Sequence, residues 1–137
     1  RVLFGMIEEF VRQNTERAKA FTSLGQLRYL SCLQHVDAVI GNSSSGLAEA
    51  PSFRIGTVNI GDRQQGRLKA ESVIDCNPEQ KSILGALQHL YSPAFQQKLK
   101  IILNPYGEGG ASKAIVKQLE LSRFDGLLKK RFHDLSE

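Results

Sequence analysis

The segment from Asp37 to Glu49 constrains this chain more than any other feature of the sequence. It reads Asp-Ala-Val-Ile-Gly-Asn-Ser-Ser-Ser-Gly-Leu-Ala-Glu, a short apolar strand ending in glycine, then a loop of small polar residues, then the start of a helix. This order is typical of an α/β domain built on a parallel sheet. Because ligands bind at the carboxyl ends of strands in such sheets, the loop is the first candidate for a binding site.

The rest of the chain alternates short strands with helices. We predict strands over 18–22, 37–41, 56–60 and 72–75. The predicted helices are an amphipathic one over 2–14, a second from Ser23 through Leu33, a short one over 47–50, and later ones over 77–91, 92–102, 114–119 and 124–135. We therefore expect an α/β, Rossmann-like domain of three layers with a parallel sheet, and a single domain over residues 1–137.

Local signals mark several helix ends. Pro51 is expected to help end the short helix, and Asn77 is expected to cap a helix that has Pro78 in its first position. The Ser-Pro pair Ser92-Pro93 is then expected to restart a helix. The buried face of the helix after Pro78 is predicted to consist of large side chains at helical spacing, namely Ile83, Leu84, Leu87, Leu90 and Tyr91.

Composition excludes several classes of partner. The net charge is +4, but the positive residues are scattered except at 129–131, so we do not expect a nucleic-acid partner. No run of eighteen apolar residues occurs, so we do not expect a membrane partner. Cys32 is expected in a buried helix and Cys76 at a strand end, without metal-binding spacing, which fits a reduced, cytoplasmic setting. The chain opens on Arg1 and runs at once into helical periodicity, so we expect a piece of a longer protein.

The serine loop has the chemistry to bind a phosphate. Glycine and serine let the backbone approach an anion closely, while amides, hydroxyls and the following helix supply hydrogen bonds and positive potential. The alternative is that the serines only cap the helix and complete a turn. The loop residues are Asn42, Ser43, Ser44, Ser45 and Gly46.

Three charged residues lie near this loop in the predicted fold. Glu49 stands just beyond the loop, where a carboxylate can accept both hydroxyls of a ribose, or can be a solvated helix acid. Arg63 and Arg67 follow the strand over 56–60, at the same edge of the sheet, and guanidinium groups suit a diphosphate. Their alternative is ordinary surface charge.

Other motifs offer no catalytic group. The glycine-rich segment over 104–110 follows a helix and lacks the spacing of a dinucleotide fingerprint, so it is expected to shape a connection. His35 and His89 are expected in helices and His133 in the basic tail, without a triad or metal-ligand partner. We expect no catalytic residue, no metal and no cofactor in this chain.

Three motifs in order resemble the hydrolysing UDP-N-acetylglucosamine 2-epimerases. They are Val-Ile-Gly-Asn-Ser-Ser-Ser-Gly with Glu49, then Thr-Val-Asn-Ile-Gly-Asp-Arg-Gln-Gln-Gly-Arg67, then Asn-Pro-Tyr-Gly-Glu-Gly. The resemblance covers residues 24–119. Non-hydrolysing relatives typically carry Ser-Gly-Gly followed by paired acids, so the Asn-Ser-Ser-Ser-Gly loop and single acid favour the hydrolysing class.

The resemblance implies one half of a two-domain enzyme of the GT-B type, with the active site between the domains. It implies that Ser43 and Ser44 bind the UDP phosphates, Glu49 the ribose hydroxyls, and that Arg63, with Arg67 beside it, lines the nucleotide site. The implied reaction releases UDP from UDP-N-acetylglucosamine or a diacetamido relative and gives the free 2-epimer, usually ManNAc for sialic acid synthesis. UDP is eliminated, and water then adds to the resulting glycal.

The family's acid and base groups lie mainly in the missing first domain, so the resemblance implies that this piece binds UDP without turnover. Its implied partners are UDP, the UDP-sugar substrate, that N-terminal domain, and a second copy in a homodimer. Two alternatives stay open: a nucleotide-sugar glycosyltransferase half-domain of the same architecture, and a non-enzymatic UDP-binding module.

Overall fold

Three parallel strands form the sheet. The computed structural model describes residues 2–126. The strands are β1 (Ala38–Gly41), β2 (Gly56–Ile60) and β3 (Val73–Cys76), in the spatial order β1-β2-β3. Ala38 pairs with Gly56, and Thr57 pairs with Val73, so all three strands run in the same direction. The predicted parallel α/β architecture is confirmed.

Helices precede and follow the strands. They are α1 (Val2–Gln13), α2 (Gly25–Leu33), α3 (Ser45–Ala48), a short 3₁₀ helix (Ala50–Phe53), α4 (Gln80–Leu90), α5 (Pro93–Leu99) and α6 (Ala111–Leu121). The chain divides into two compact units, Arg1–Tyr106 and Gly107–Glu137. The first unit contains the whole sheet, and α6 is the helix described in the second.

Helical segments cover both faces of the sheet. Side chains of a strand alternate between the two faces, so Val58 points away from Thr57 and Asn59. Val58 packs with Leu90 and other residues of α4 and α5 in the main core. On the other face, the Thr57 hydroxyl donates to the Gly46 carbonyl of α3 at 2.8 Å. The sheet between these two helical segments gives the three-layer arrangement that the sequence predicts.

The core is small and lies mainly between the sheet, α4 and α5. Its fully buried centre is Val58 and Leu90, with Phe95 and Leu99 of α5 packed around them. A Cβ on Gly56 would lie 2.2 Å from Leu90 Cδ1, so β2 and α4 are in close contact here. Ser92 caps α5 by accepting from the Phe95 N–H at 3.3 Å, as its Ser-Pro sequence predicts.

Two predicted elements before and after the serine loop were wrong in type or bounds. Residues 18–22 form no strand, because β1, β2 and β3 are the strands of the described sheet and this exposed run has no strand beside it. Pro51 does not end helical structure. It occupies the first turn of the 3₁₀ helix, where its fixed φ and missing N–H are tolerated.

The start and buried face of α4 also differ from the prediction. Glu79, rather than Asn77, is the residue before the helix, so Pro78 lies ahead of α4 and not in its first position. The Asn77 N–H donates to Ser82 Oγ at 3.0 Å, which holds residues 77–79 in a turn ahead of the helix. Leu84 and Tyr91 were predicted to be buried but are 51% and 59% exposed, and the small Ala86 lies in the core instead.

Other differences concern exposure and helix ends. The second helix begins at Gly25 rather than Ser23, and the helix after Ser92 ends at Leu99 rather than 102. Cys32 is exposed, not buried, because it lies on the outer side of α2 while Leu33 faces inward. His35 lies in the turn after α2 rather than in the helix.

The amphipathic pattern of α1 forms a helix, yet none of its residues is buried. Val2, Phe4 and Phe10 are 79%, 69% and 56% exposed. The predicted last helix lies outside the described residues apart from its first three positions, where Phe124 is in a non-helical stretch. Among the helices of residues 2–126, none has the length and apolar character needed to span a membrane.

Candidate functional site

The serine loop leaves the carboxyl end of β1 by a turn at a glycine. Gly41 has a φ of +146°, a conformation that side-chain-bearing residues rarely adopt, so glycine is needed where the chain leaves the sheet. Asn42, Ser43 and Ser44 are then exposed, and α3 begins at Ser45. The loop therefore presents its polar groups to solvent at the edge where parallel sheets bind ligands.

Ser43 and Ser44 have different roles. The Ser43 hydroxyl accepts from the Ser45 N–H at 3.3 Å and stabilises the turn. Ser44 occupies the position before α3, but its side chain makes no capping hydrogen bond. Helix capping therefore does not account for Ser44, which leaves its exposed hydroxyl available to a ligand.

Gly46 has a packing role. It is buried, and a Cβ at this position would lie 2.5 Å from Thr57 Cγ2. The Thr57 hydroxyl donates to the Gly46 carbonyl. Gly46 thus lets the start of α3 lie directly against β2, which fixes the base of the serine loop.

Glu49 is held in a chain of hydrogen bonds. Ser45 Oγ donates to a carboxylate oxygen of Glu49, and the Tyr29 hydroxyl of α2 bonds to the same Ser45 oxygen. Glu49 is half-buried. Tyr29 is not predictable from the sequence, because its partner lies sixteen residues away and no local spacing indicates the contact.

The second loop, residues 61–67, begins after β2 and carries two arginines, so we call it the arginine loop. Arg63 and Arg67 are exposed, and within residues 2–126 neither has a carboxylate at ion-pair distance. The loop is turned by backbone bonds from Gln65 N–H to the Asp62 carbonyl at 2.8 Å and from Arg67 N–H to the Gln64 carbonyl at 3.3 Å. Both guanidinium groups are thus available to an anion.

A buried side chain joins the two loops. Gln64 Nε2 donates to the Asn42 carbonyl at 2.7 Å, and Gln64 is only 3% exposed between exposed neighbours. The structure therefore brings together the serine and arginine loops predicted from the sequence. Gln64 itself was not singled out, because it reads as one of several polar residues in a polar loop.

The first residues of the glycine-rich segment brace both loops. Asn104 Nδ2 donates to the carbonyl of Ala48, the last residue of α3, at 2.8 Å and to Ser52 Oγ of the 3₁₀ helix at 2.7 Å. The Tyr106 hydroxyl donates to the Leu68 carbonyl at 3.0 Å, just after the arginine loop. These bonds give Asn104 and Tyr106 a structural role in the first unit.

A depression near the two loops is lined by carboxylates rather than by guanidinium groups. It measures about 460 Å³ and lies at the ends of β2 and β3, lined by Asp62, Asp75, Cys76 and Ser82 among others. Burial raises the pKa of Asp75, but hydrogen bonds from Lys69 and Asn59 outweigh it and hold that pKa below its ordinary value. Burial and then the Asp75 charge raise the pKa of the Cys76 thiol. Two carboxylates make this depression a poor site for a diphosphate.

No group of three or more His, Cys, Asp or Glu side chains suited to a metal ion occurs between residues 2 and 126. The ring of His89 in α4 packs against the ring of Phe95 in α5, with the two ring centroids 4.9 Å apart. The site as described can bind and orient an anionic ligand, with a carboxylate beside it.

The fold and the two loops define a Rossmann-like α/β domain with a polar edge at the carboxyl ends of β1 and β2. Residues 2–120 match the family model described as UDP-N-acetylglucosamine 2-epimerase, and the chain belongs to that family. The resemblance stated from the three motifs is therefore confirmed.

Relatives support the hydrolysing branch. The chain is 40% identical over 131 residues to the GDP/UDP-N,N'-diacetylbacillosamine 2-epimerase (hydrolyzing) of Campylobacter jejuni, covering 95% of this chain and 34% of that protein. It is 31% identical over 117 residues to the UDP-N,N'-diacetylbacillosamine 2-epimerase (hydrolyzing) of Legionella pneumophila, covering 84% and 30%. It is also 41% identical over 78 residues to polysialic acid biosynthesis protein P7 of Escherichia coli, covering 57% and 20%. The chain thus spans about a third or less of the length of these relatives.

Proposed function

We propose that this chain is the UDP-binding part of a hydrolysing UDP-sugar 2-epimerase. The observation that carries the proposal is the hydrogen bond from Gln64 to the Asn42 carbonyl, which joins an exposed serine loop to an exposed arginine loop. Hydroxyls, backbone amides and guanidinium groups on two joined loops suit a diphosphate. Family membership supports UDP as the nucleotide.

Each site residue has a proposed role. Ser43 and Ser44 donate to the phosphates of UDP, and Arg63 and Arg67 balance their charge. Glu49 accepts hydrogen bonds from the ribose hydroxyls. Three further loop residues support these contacts: Ser45 orients Glu49, Gly46 sets the loop against β2, and Asn42 holds the loop through its carbonyl.

The proposed reaction of the whole protein releases UDP from an acetamido UDP-sugar and gives the free 2-epimer. UDP leaves by elimination, and water then adds to the glycal. In that reaction this chain stabilises the departing diphosphate, whose charge grows as the bond to the sugar breaks. The names of the Campylobacter and Legionella relatives favour a diacetamido sugar, while the polysialic acid protein fits a ManNAc product for sialic acid synthesis.

The proposed partner is a first domain that supplies the acid and base groups, as in a GT-B arrangement. The length of the relatives supports it, since this chain covers 34% of the Campylobacter protein. The proposal includes a cytoplasmic setting, no cofactor and no nucleic-acid or membrane partner. Membership of the epimerase family favours this assignment over a glycosyltransferase half-domain or a UDP-binding module without enzymatic activity.

Calorimetry with UDP tests the site. Ser44→Ala and Glu49→Ala should each weaken UDP binding, because each removes a hydrogen bond involving a charged group, and the loss should be about tenfold to a hundredfold. Ser112→Ala and Glu120→Ala, on exposed positions of α6, are matched controls and should bind as the wild type does. Wild-type affinity in both site variants would place the nucleotide elsewhere.

Turnover is tested separately with UDP-N-acetylglucosamine and its diacetamido relative. The chain alone should bind these sugars and release no UDP, because its site holds no acid–base pair. A coupled assay for released UDP and chromatography of the free sugar measure this. Release of UDP by the chain alone would contradict the proposed division of labour between two domains.

A further inference from the structure

Gln64 is buried in a loop whose other polar side chains are exposed. It is 3% exposed, while Arg63 and Gln65 on either side of it are exposed. Burying an amide side chain is unfavourable unless it forms hydrogen bonds. A buried glutamine at this point therefore needs an explanation in what it bonds.

The bond that it makes has only one possible direction. Gln64 Nε2 donates to the Asn42 carbonyl at 2.7 Å. A backbone carbonyl can only accept, so the nitrogen of the amide must face it. Oε1 of Gln64 has no hydrogen-bond partner within the described residues, and one bond thus anchors the side chain.

The two ends of this bond lie next to the residues that would contact the ligand. Asn42 directly precedes Ser43, and Gln64 directly follows Arg63. The loops leave neighbouring strands, β1 and β2, whose last paired residues are Gly41 and Asn59. Beyond that pair the strand ladder no longer fixes their separation, and the Gln64 side chain links them instead.

We propose that Gln64 is a positioning residue that sets the spacing between the serine loop and the arginine loop before the ligand binds. The inference rests on the proposed function, because it assigns the two loops to one diphosphate. Groups held at the required spacing bind more tightly, since less conformational freedom is lost on binding. Gln64 acts through Asn42 and Arg63.

Gln64→Met tests the inference, because methionine has a similar length and no donor. Gln65→Met, at the exposed neighbouring position, is the matched control. UDP affinity should fall about tenfold in Gln64→Met and stay at the wild-type level in the control. Uridine lacks the diphosphate, so the affinity of Gln64→Met for uridine should fall much less, relative to the wild type, than its affinity for UDP. A general loss of folding would weaken both ligands equally, so the ratio of the two affinities is decisive.

Amide hydrogen exchange gives a test that needs no ligand. The amides of Ser45, Gln65 and Arg67 donate hydrogen bonds within the two loops. In Gln64→Met these amides should exchange faster than in the wild type, and in the control they should not. If exchange in these loops is unchanged, or if UDP affinity is unchanged, the inference is overturned. If the wild-type chain binds no UDP, the proposed UDP site of the isolated chain fails, while exchange still decides whether Gln64 holds the loops.

If Gln64→Met does not fold, an NMR measurement on the wild-type chain tests the inference instead. By NMR, the side-chain NH₂ protons of Gln64 should exchange more slowly than those of Gln65, and more slowly still with UDP bound. Equal exchange of the two side chains would overturn the inference.

Discussion

At the scale of single residues, Gly46 shows why the serine loop tolerates little change. Its missing side chain lets the start of α3 touch Thr57 of β2, where a Cβ would lie 2.5 Å from Cγ2. The Thr57 hydroxyl also bonds to the Gly46 carbonyl at 2.8 Å. The loop that carries Ser43 and Ser44 is thus positioned by a contact that only glycine permits.

Gly46→Ala should lower the free energy of unfolding by about 1–3 kcal/mol, because the added methyl overlaps a buried side chain. Urea unfolding measures the change. Thr57→Ser removes Cγ2 and keeps the hydroxyl, so the double variant should recover part of the loss.

Gly85→Ala is the control for this substitution. Gly85 lies in α4, and a Cβ there would meet no atom within 4 Å. Alanine should stabilise the helix by about 0.5–1 kcal/mol. An equal effect of alanine at positions 46 and 85 would contradict the packing explanation.

At the scale of elements, polar bonds tie β2 to β3. Asn59 Nδ2 donates to Asp75 at 2.6 Å, and Lys69 Nζ lies 2.8 Å from both carboxylate oxygens. Asn59 is buried and Asp75 is exposed. The net effect is a carboxylate whose pKa lies below its ordinary value of 3.8.

Asp75→Asn should destabilise the chain at neutral pH and have less effect in acid. A carboxyl group with a lowered pKa in the folded state contributes stability above its unfolded pKa. That contribution is lost as pH falls from about 3.8 through the lower folded value. Thermal unfolding from pH 7 to pH 3 measures the difference between wild type and variant.

Asp62→Asn, in the exposed part of the next loop, is the control for charge removal. Its effect on stability should be smaller at neutral pH, because Asp62 has no ion pair among the described residues. A constant difference between wild type and Asp75→Asn at every pH would show that lost packing, not charge, is responsible.

How far the sequence predicted these elements depends on whether the signal is local. β2 was predicted with its observed bounds, because Gly56 and Gly61 frame a short apolar run. The prediction of a strand over residues 18–22 was wrong, because strand formation also requires a neighbouring strand. The predicted burial of Leu84 and Tyr91 was wrong, because the sheet covers only part of the apolar face of α4.

The candidate site was predicted in its loops but not in its internal contacts. Glycines, serines and arginines after two strands are visible in the sequence, and the structure brings those loops together. The links through Tyr29, Gln64 and Tyr106 join residues sixteen, twenty-two and thirty-eight positions apart. Spacing within one element contains no information about such contacts.

At the scale of the whole molecule, α1 exposes a large apolar face. Its exposed apolar side chains are Val2, Leu3, Phe4, Met6, Ile7 and Phe10. Soluble proteins rarely expose such a contiguous face unless it is an interaction surface. The two-domain arrangement of the proposed function predicts that its first domain covers this face.

The chain alone should therefore self-associate weakly through α1. A chain with both Phe4→Ser and Phe10→Ser should associate less, because the two substitutions remove most of the aromatic surface of the face. Sedimentation velocity over a range of concentrations measures it. Glu8→Ser with Arg12→Ser, on the polar side of α1, is the matched control.

Two outcomes would contradict the assignment of α1 to the first domain. A wild-type chain that remains monomeric at all concentrations would show that this face does not promote contact. A stable dimer that the phenylalanine substitutions disrupt would instead make α1 the interface of a homodimer.

The order of the strands has a consequence for how the chain reaches its native state. Ala38 pairs with Gly56 and Thr57 with Val73, so each pairing joins residues fewer than about twenty positions apart. Parallel sheets usually form slowly because their strands come from distant parts of the chain. Here the sheet can assemble strand by strand as the polypeptide leaves the ribosome, and β2 is the step on which both pairings depend.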